Sequence, residues 1–205
     1  MLNIYKKDSI EVAIDEVARG CLFGRLYSAA VIWPIDFDNS IYKINDSKKL
    51  SKKKRRDAYQ WIINNIKNYG VGSCSSEEID KYGILEATKI AMDRAIANIP
   101  DKSLIEDTTL LIDGIGWEKK EFKGGLFKIE SVVKGDAKYK NIAAASILAK
   151  EEHDKMVDEI CDNNKELSER YDLYNNKGYG TKKHIEGIKK YGLTKFHRQS
   201  FNINY

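Results

Sequence analysis

The chain has little of what marks several protein classes. Only two prolines occur in 205 residues, too few for a proline-rich linker or recognition segment. No Ser-rich linker, internal repeat or low-complexity tract interrupts it, which excludes a solenoid or a repeat array. Three cysteines, Cys21, Cys74 and Cys161, stand far apart. With no C-x-x-C pair and an odd thiol, neither a disulfide framework nor a zinc site is suggested. The opening MLNIYKKDSIEVAID lacks the apolar core of a signal peptide. No apolar run approaches the ~20 residues of a membrane span. An intracellular, reduced, cytoplasmic setting with no membrane contact is expected. A large excess of one charge is missing too. The formal net charge is +4, which permits a nucleic-acid partner without demanding one.

What is present is an ordinary globular composition, 42% hydrophobic and 32% charged. The length fits one domain, or one domain with a helical extension. Basic residues cluster at Lys48–Arg56 and again from Lys177 to Arg198. Either cluster alone reads as a solvated helix face.

Ile10–Asp15 alternates apolar with polar or small residues and predicts a strand. Leu26–Trp33 predicts a second, ended by Pro34, and the short turn around Gly24 suggests an antiparallel pair. Tyr42–Ile44 could form a short third strand. Ser51 suits the N-cap of a helix to about Lys67, with Ala58, Trp61, Ile62 and Ile66 at helical spacing. Tyr69–Cys74 reads as a strand, Ser76–Lys81 as a short helix, and Leu85–Ile99 as a longer one. On that helix Leu85, Thr88, Met92, Ala95 and Ile99 share a face. Thr108–Asp113 and Phe127–Val133 read as strands. Asn141–Ile160 and Lys182–Tyr191 read as helices, the second after a loop at Asn175–Gly180. Strands come first and then alternate with helices, so a mixed α/β sheet with helices on its faces is expected. The division expected is a catalytic domain over 1–150 and a helical C-terminal part, 151–205, packed on it and contributing to substrate binding.

Three strands run into acids. Ile10–Ile14 leads to Asp15 and Glu16, Leu110–Ile112 to Asp113, and Phe127–Val133 through Lys134 and Gly135 to Asp136. Any one could merely start a turn. Together they make poor core chemistry, because a buried unpaired charge is costly, and good chemistry for a hard, oxygen-seeking cation such as Mg²⁺. Spacing alone does not show that they converge. In an unbroken strand Asp15 and Glu16 would face opposite sides. If both serve one site, the strand must end there or Glu16 must use its backbone carbonyl.

Five segments resemble ribonuclease HII: DEVARG at Asp15–Gly20, NDSKKLS at Asn45–Ser51, LLIDG at Leu110–Gly114, VVKGDAKYKNIAAASILAK at Val132–Lys150, and KGYGTKKHIEGIKKYGLTKFHRQSF at Lys177–Phe201. They span residues 15 to 201 in the family's order. The resemblance implies the ribonuclease H-like fold, a five-stranded mixed sheet flanked by helices, with a C-terminal helical extension. It implies an endoribonuclease that cuts the RNA strand of RNA–DNA hybrids and cuts 5′ to single ribonucleotides in duplex DNA. Two Mg²⁺ or Mn²⁺ ions, roughly 3.5–4 Å apart, would assist, leaving 5′-phosphate and 3′-hydroxyl ends. Asp15, Glu16, Asp113 and Asp136 correspond to the catalytic, metal-holding acids. Ala18, Arg19, Gly20, Lys48, Ser146, Lys150 and Tyr179 correspond to substrate-binding positions. Lys48 is the basic-loop lysine and Tyr179 packs on the nucleotide sugar. Arg19, Lys48 and Lys150 would face phosphates, and Ser146 the substrate backbone, unless Ser146 simply permits close helix packing.

The chain departs from the family where Ala18 replaces a glycine and Cys21 and Arg25 replace prolines. The Ala18 methyl either fits with a negative φ or narrows the approach to the ribose. Two further readings stay open: a hybrid-specific ribonuclease with weakened single-ribonucleotide recognition, and a non-catalytic hybrid binder, which the presence of all four acids disfavours. The extra N-terminal domain of the ribonuclease HIII type is not expected, nor is a sliding-clamp peptide of the form Q-x-x-L-x-x-F-F; a monomer is expected. His153 and His184 read as helix-surface residues and His197 as a structural part of the tail.

Overall fold

The computed structural model describes residues 10–34, 44, 47, 49–105 and 108–203. Lys48 and most of the short strand expected at Tyr42–Ile44 lie outside the described residues. Two strands open the fold, β1 (Glu11–Val17) and β2 (Leu26–Ile32). They are followed by α1 (Lys52–Asn65), β3 (Tyr69–Cys74), α2 (Ser76–Tyr82) and α3 (Ile84–Ala97). Next come β4 (Thr109–Asp113), β5 (Lys128–Val132), a single turn α4 (Gly135–Lys138) and the long α5 (Lys140–Asn163). The chain closes with α6 (Lys165–Tyr171), α7 (Leu173–Asn176) and α8 (Lys182–Tyr191).

The sheet has five strands in the order β3-β2-β1-β4-β5. The β1–β2 pair is antiparallel, as the turn at Gly24 suggests; β2–β3 is antiparallel too, and β1–β4 and β4–β5 are parallel. Strand alternation sorts the core. Val12, Ile14, Ala30 and Ile32 pack with Met92, Ala95 and Ile96 of α3 on one face. Ala29 and Val31 pack with Ala58 and Ile62 of α1 and with Ala144, Ile147 and Leu148 of α5 on the other. Gly70 and Gly72 let α3 settle on β3: an added Cβ would come within 2.1 Å of the Ala95 carbonyl oxygen and 2.2 Å of that of Ala91.

Ser51 caps α1, accepting the Lys54 N–H at 3.3 Å. Leu85 departs from the expected face: it is 46% exposed, while Thr88, Met92, Ala95 and Ile99 are buried. Leu85 lies in the first turn of α3. The helices α6 and α7 were not anticipated as separate elements; both are short and largely polar. Their few apolar residues, Leu167, Tyr171 and Leu173, close on Val157, Cys161, Ile188 and Phe23 in a separate small core. The helix α5 runs unbroken across residues 150 and 151 and belongs to both cores. All three cysteines are free and buried. Among the described residues no helix is long and apolar enough to cross a membrane.

Candidate active site

The β1–β4 pairing stops at Ile14↔Ile112, so Asp15 and Asp113 come next in line on neighbouring strands. Pairing of β1 with β2 continues to Val17↔Tyr27. The strand therefore does not end at Asp15. What ends is its β4 neighbour, and Glu16 lies beyond that end. The third acid strand is tied in by its following turn: the Gly135 N–H donates to Asp113 Oδ1 at 2.6 Å. A Cβ at Gly135 would meet Ile142 Cδ1 at 2.5 Å and Asp113 Oδ1 at 3.3 Å, so a side chain here would make Ile142 shift. Asp136, the next residue, is buried in the first turn of α4.

Asp15 is buried. Burial, then the charges of Glu16 and Asp113, push its carboxyl well above the usual carboxylate range, and a hydrogen bond from Ser146 opposes this. Glu16 is raised as well, first by burial; the Arg19 guanidinium, 3.2 Å from Glu16 Oε1, pulls the other way, and Asp113 adds to the rise. Among the described residues Glu16 Oε2 is buried without a hydrogen-bond partner. Among the described residues no three His, Cys, Asp or Glu side chains close into a ready-made ion cage. Asp15, Glu16 and Asp113 are thus brought into mutual repulsion and Asp136 sits on the adjoining turn, gathered without closing. Hard oxygen donors, two raised carboxyls and one orphaned buried oxygen fit a divalent cation, which would relieve all three conditions.

The loop leaving β1 carries the next group. Ala18 is buried at φ 68°, so its methyl is not accommodated with a negative φ: it takes the left-handed conformation a glycine would take, at a cost of about 1–2 kcal/mol. Gly20 is exposed, with nothing within 4 Å of an added Cβ. Cys21 forms an isolated β-bridge with Tyr179, and Phe23 one with His197, so the loop is clamped between the segment before α8 and the C-terminal tail. Tyr179 is 38% exposed, and Lys150 Nζ lies 5.3 Å from its ring centroid. Lys150 also pairs with Asp154 at 2.8 Å. Ser146, expected to face the substrate backbone, is buried; its hydroxyl lies 2.9 Å from that of Ser47 and hydrogen-bonds Asp15.

Sequence reasoning missed the buried polar residues beneath this loop. His153 and His184 are fully buried rather than on helix surfaces. His153 falls on the i, i+3, i+4 stripe of Ser146, Ala149 and Val157, a signal that could have placed it inside. It faces Asp154 at 3.2 Å. Burial would raise Asp154, but hydrogen bonds from His153 and Lys150 hold it at about 2. His184 Nε2 lies 3.1 Å from His197 Nε2, and His184 Nδ1 lies 2.9 Å from the Tyr179 carbonyl. Arg198 is fully buried. It donates to the carbonyls of Arg19 at 2.9 Å and Gly24 at 3.2 Å, fastening both ends of the loop.

A family model described as Ribonuclease HII matches residues 12–204. The chain is 42% identical over 203 residues to Ribonuclease HII of Phocaeicola vulgatus, covering 99% of this chain and 94% of that protein. It is 43% identical over 192 residues to Ribonuclease HII of the Wolbachia pipientis strain wPip, covering 94% and 90%. Among solved structures the fold is similar to that in the PCNA:RNase HII complex from Archaeoglobus fulgidus, with a TM-score of 0.71 at 22% identity over 96% of both chains. It is also similar to Bst-RNase HIII in complex with Mn²⁺, with a TM-score of 0.69 at 17% identity over 94% of this chain and 67% of that one. Match length, sequence identity and a five-stranded sheet that brings acids to one end of its parallel strands agree: the chain belongs to the ribonuclease HII family and is a ribonuclease H type endoribonuclease.

Proposed function

We propose that the enzyme cuts the RNA strand of RNA–DNA hybrids and also cuts 5′ to a single ribonucleotide embedded in duplex DNA, leaving 5′-phosphate and 3′-hydroxyl ends. Asp15, Glu16, Asp113 and Asp136 would hold two divalent ions, Mg²⁺ or Mn²⁺. Such ions supply a water of lowered pKa and offset charge on the leaving 3′-oxygen. Ser146 keeps the Asp15 carboxylate oriented, and the Gly135 N–H does the same for Asp113. The half-exposed Arg19, together with Lys48 and Lys150, faces substrate phosphates. The partly exposed ring of Tyr179 packs on the sugar beside the cleaved bond, and the backbone of Ala18–Gly20 meets the ribose 2′-hydroxyl, the group that separates that nucleotide from its DNA neighbours. The helical part after residue 150 contributes the Tyr179 face. We assign the protein to the cytoplasm as a monomer with no clamp partner.

One observation carries this reading. The acids of β1 and the Ala18–Gly20 loop are consecutive in the chain, and the loop is tied to Tyr179 by the Cys21–Tyr179 β-bridge. The left-handed Ala18 favours a second reading, hybrid cleavage with weakened single-ribonucleotide recognition, since its methyl sits where a glycine would leave space. One assay decides between them. The protein is incubated with Mg²⁺ or Mn²⁺ and either a duplex holding one ribonucleotide or a full hybrid. Comparable cleavage of both supports the first reading; hybrid cleavage alone supports the second; cleavage of neither overturns both.

A further inference from the structure

Tyr179 follows a stretch of chain that does not hold itself in place. Lys177 and Gly178 both take positive φ, 52° and 84°. A Cβ at Gly178 would come within 2.7 Å of the Phe23 carbonyl oxygen, so the turn is pressed against the chain that follows the β1 loop. A buried side chain of α8 steadies it from the other side. His184 Nδ1 lies 2.9 Å from the Tyr179 carbonyl oxygen, which also accepts the Thr181 N–H at 2.8 Å. The Tyr179 N–H donates to the Asn176 carbonyl at 3.0 Å. The peptide groups on both sides of the Tyr179 Cα are thereby fixed, and with them the direction in which the ring leaves the chain.

His184 does not act alone. Its Nε2 lies 3.1 Å from Nε2 of His197. His197 Nδ1 accepts the Thr194 N–H at 3.0 Å, with the Thr194 hydroxyl at 2.8 Å. The two ends of this series fix every proton in it. A carbonyl only accepts, so His184 Nδ1 carries a hydrogen; a backbone N–H only donates, so His197 Nδ1 carries none. Two neutral rings then leave one arrangement, with His197 Nε2–H donating to a bare His184 Nε2. Burial pushes His184 down, against the Tyr179 carbonyl and the Asp172 charge, and burial and then the His184 ring push His197 down to about 4. Phe23 and Tyr171 close over the pair, with ring centroids 5.1 and 4.8 Å from that of His197. Apolar side chains would fill such a space without needing partners. Two imidazoles are tolerated there because all four ring nitrogens are paired.

We propose that His184 and His197 are positioning residues for substrate specificity: they form a one-way hydrogen-bond relay from the Thr194 amide to the Tyr179 carbonyl, which aims the sugar-packing ring from inside the fold. Both side chains are buried and neither meets substrate. The relay starts in the tail segment from which Arg198 holds the Arg19 and Gly24 carbonyls, so the ring and the ribose-facing loop take their places from one support. The proposal rests on the junction-sensing role given to Tyr179.

The test uses the full chain with Mg²⁺ above neutral pH, single-turnover rates on the two substrates, melting temperatures, and the imidazole nitrogen signals of the wild type by NMR. The spectra should show His184 protonated at Nδ1 alone and His197 at Nε2 alone; the opposite tautomer in either ring overturns the relay. Asn and Gln divide the two ends of an imidazole, since their amides stand near the Nδ1 and Nε2 positions respectively. His184→Asn keeps a donor for Tyr179, whereas His184→Gln gives it up and keeps an acceptor for His197. His184→Gln is expected to slow single-ribonucleotide cleavage about three- to fivefold more than hybrid cleavage, within the range for one neutral hydrogen bond. His184→Asn should recover most of that ratio even where its melting temperature falls as far. Equal slowing of both substrates by His184→Gln, or the same ratio in both variants, overturns the proposal. In a Tyr179→Ala background His184→Gln should add nothing to the ratio, and full additivity overturns the proposal too. Should His184→Gln fail to fold, His197→Asn, which removes the donor to His184, must shift the ratio the same way, and a wild-type ratio there overturns it. Tyr179→Ala separates the two levels of inference. If it is selective while His184→Gln and His197→Asn are not, only the relay falls. If it slows both substrates alike, the junction reading falls and takes this proposal with it.

Discussion

Asp15–Glu16 and Ala18–Cys21 are neighbours in sequence, but the regions they belong to are built on opposite terms. Around the carboxylates, polar groups are left in conflict: Asp15 and Glu16 are raised, and among the described residues Glu16 Oε2 is buried without a partner. Beneath the loop most polar groups are paired, although Arg198 Nη2 is buried without a hydrogen-bond partner among the described residues. Arg198 holds two carbonyls, and His197 Nδ1 accepts from the Thr194 N–H at 3.0 Å. With that Nδ1 an acceptor, His197 Nε2 carries the proton it gives to His184 Nε2, while His184 Nδ1–H serves the Tyr179 carbonyl. The first region is stable only to the extent that the fold forces it together, so added positive charge has somewhere to act. The second has fixed its shape before any substrate arrives. The proposed uptake of a cation followed by reading of a sugar would need both kinds of construction.

The largest expected effect breaks the acidic side alone. Asp113→Asn keeps the Oδ1 acceptor for Gly135 but removes one of the clustered charges. Cleavage of either substrate should fall by at least about 100-fold in saturating Mg²⁺, with duplex binding retained, because the cations proposed to face phosphate are unchanged. A rate above about a tenth of wild type would remove Asp113 from the metal-holding set. The same variant sharpens the comparison in a melting experiment. Losing a like charge should raise the metal-free melting temperature by about 2–4 °C and erase the shift that Mg²⁺ gives the wild type.

The pH response carries the same signature. Asp15 and Glu16 bind protons more tightly folded than unfolded. Their favourable contribution is therefore fully present below the ordinary carboxylate pKa and is lost as pH rises through the raised folded values. Metal-free protein should lose stability from these groups as pH climbs out of the acid range. Mg²⁺ should restore it, since ions and protons compete for the same oxygens. Melting curves across that range, with Mg²⁺ or with a chelator, measure this. Identical pH slopes in the two conditions would mean that the raised carboxyls are not where the ions bind.

How much of this could be read from the chain follows the same divide. The acids stood out because apolar runs of strand type lead to them, and the antiparallel pairing of β1 and β2 followed from the turn at Gly24, but neither the strand order nor the meeting of the acids could be read from the chain. The shape of the second region was less legible still. Ala18 carries no local mark that its φ is positive beyond standing where the family has glycine. His153 and His184 look like surface residues because their helices are rich in Lys and Glu, and the elements that bury them come from more than 100 residues away in one case, Cys21 against His153, and from the tail in the other. Ser146 sits in an alanine run that announces close packing, and nothing local tells that its hydroxyl serves Asp15.

On the shape-fixed side, Tyr179→Ala should lower single-ribonucleotide cleavage about tenfold more than hybrid cleavage, in the range found when one stacked aromatic contact is removed. Removing the ring leaves the acids untouched, so the Mg²⁺ melting shift should persist. Loss of that shift would mean that the two regions are not separable.

The smallest effect bears on Ala18 itself. Ala18→Gly relieves a left-handed alanine, a gain of about 1–2 kcal/mol. It also adds conformational freedom to the unfolded chain, a loss of about 0.4–1 kcal/mol. The net is a stabilisation of about 0.5–1 kcal/mol, or a rise of about 1–4 °C in melting temperature for a chain of this size. Because the methyl is buried, removing it also takes away a small apolar contact, which brings the expected value toward the lower end. Activity tells more than stability here. If the loop reads the ribose through its backbone, the φ it needs is the one Ala18 already holds, and glycine should leave the single-ribonucleotide rate equal or higher. A lower rate in Ala18→Gly, with melting temperature unchanged, would mean that the methyl stiffens the loop for recognition and that the strain at this position is part of how the substrate is read.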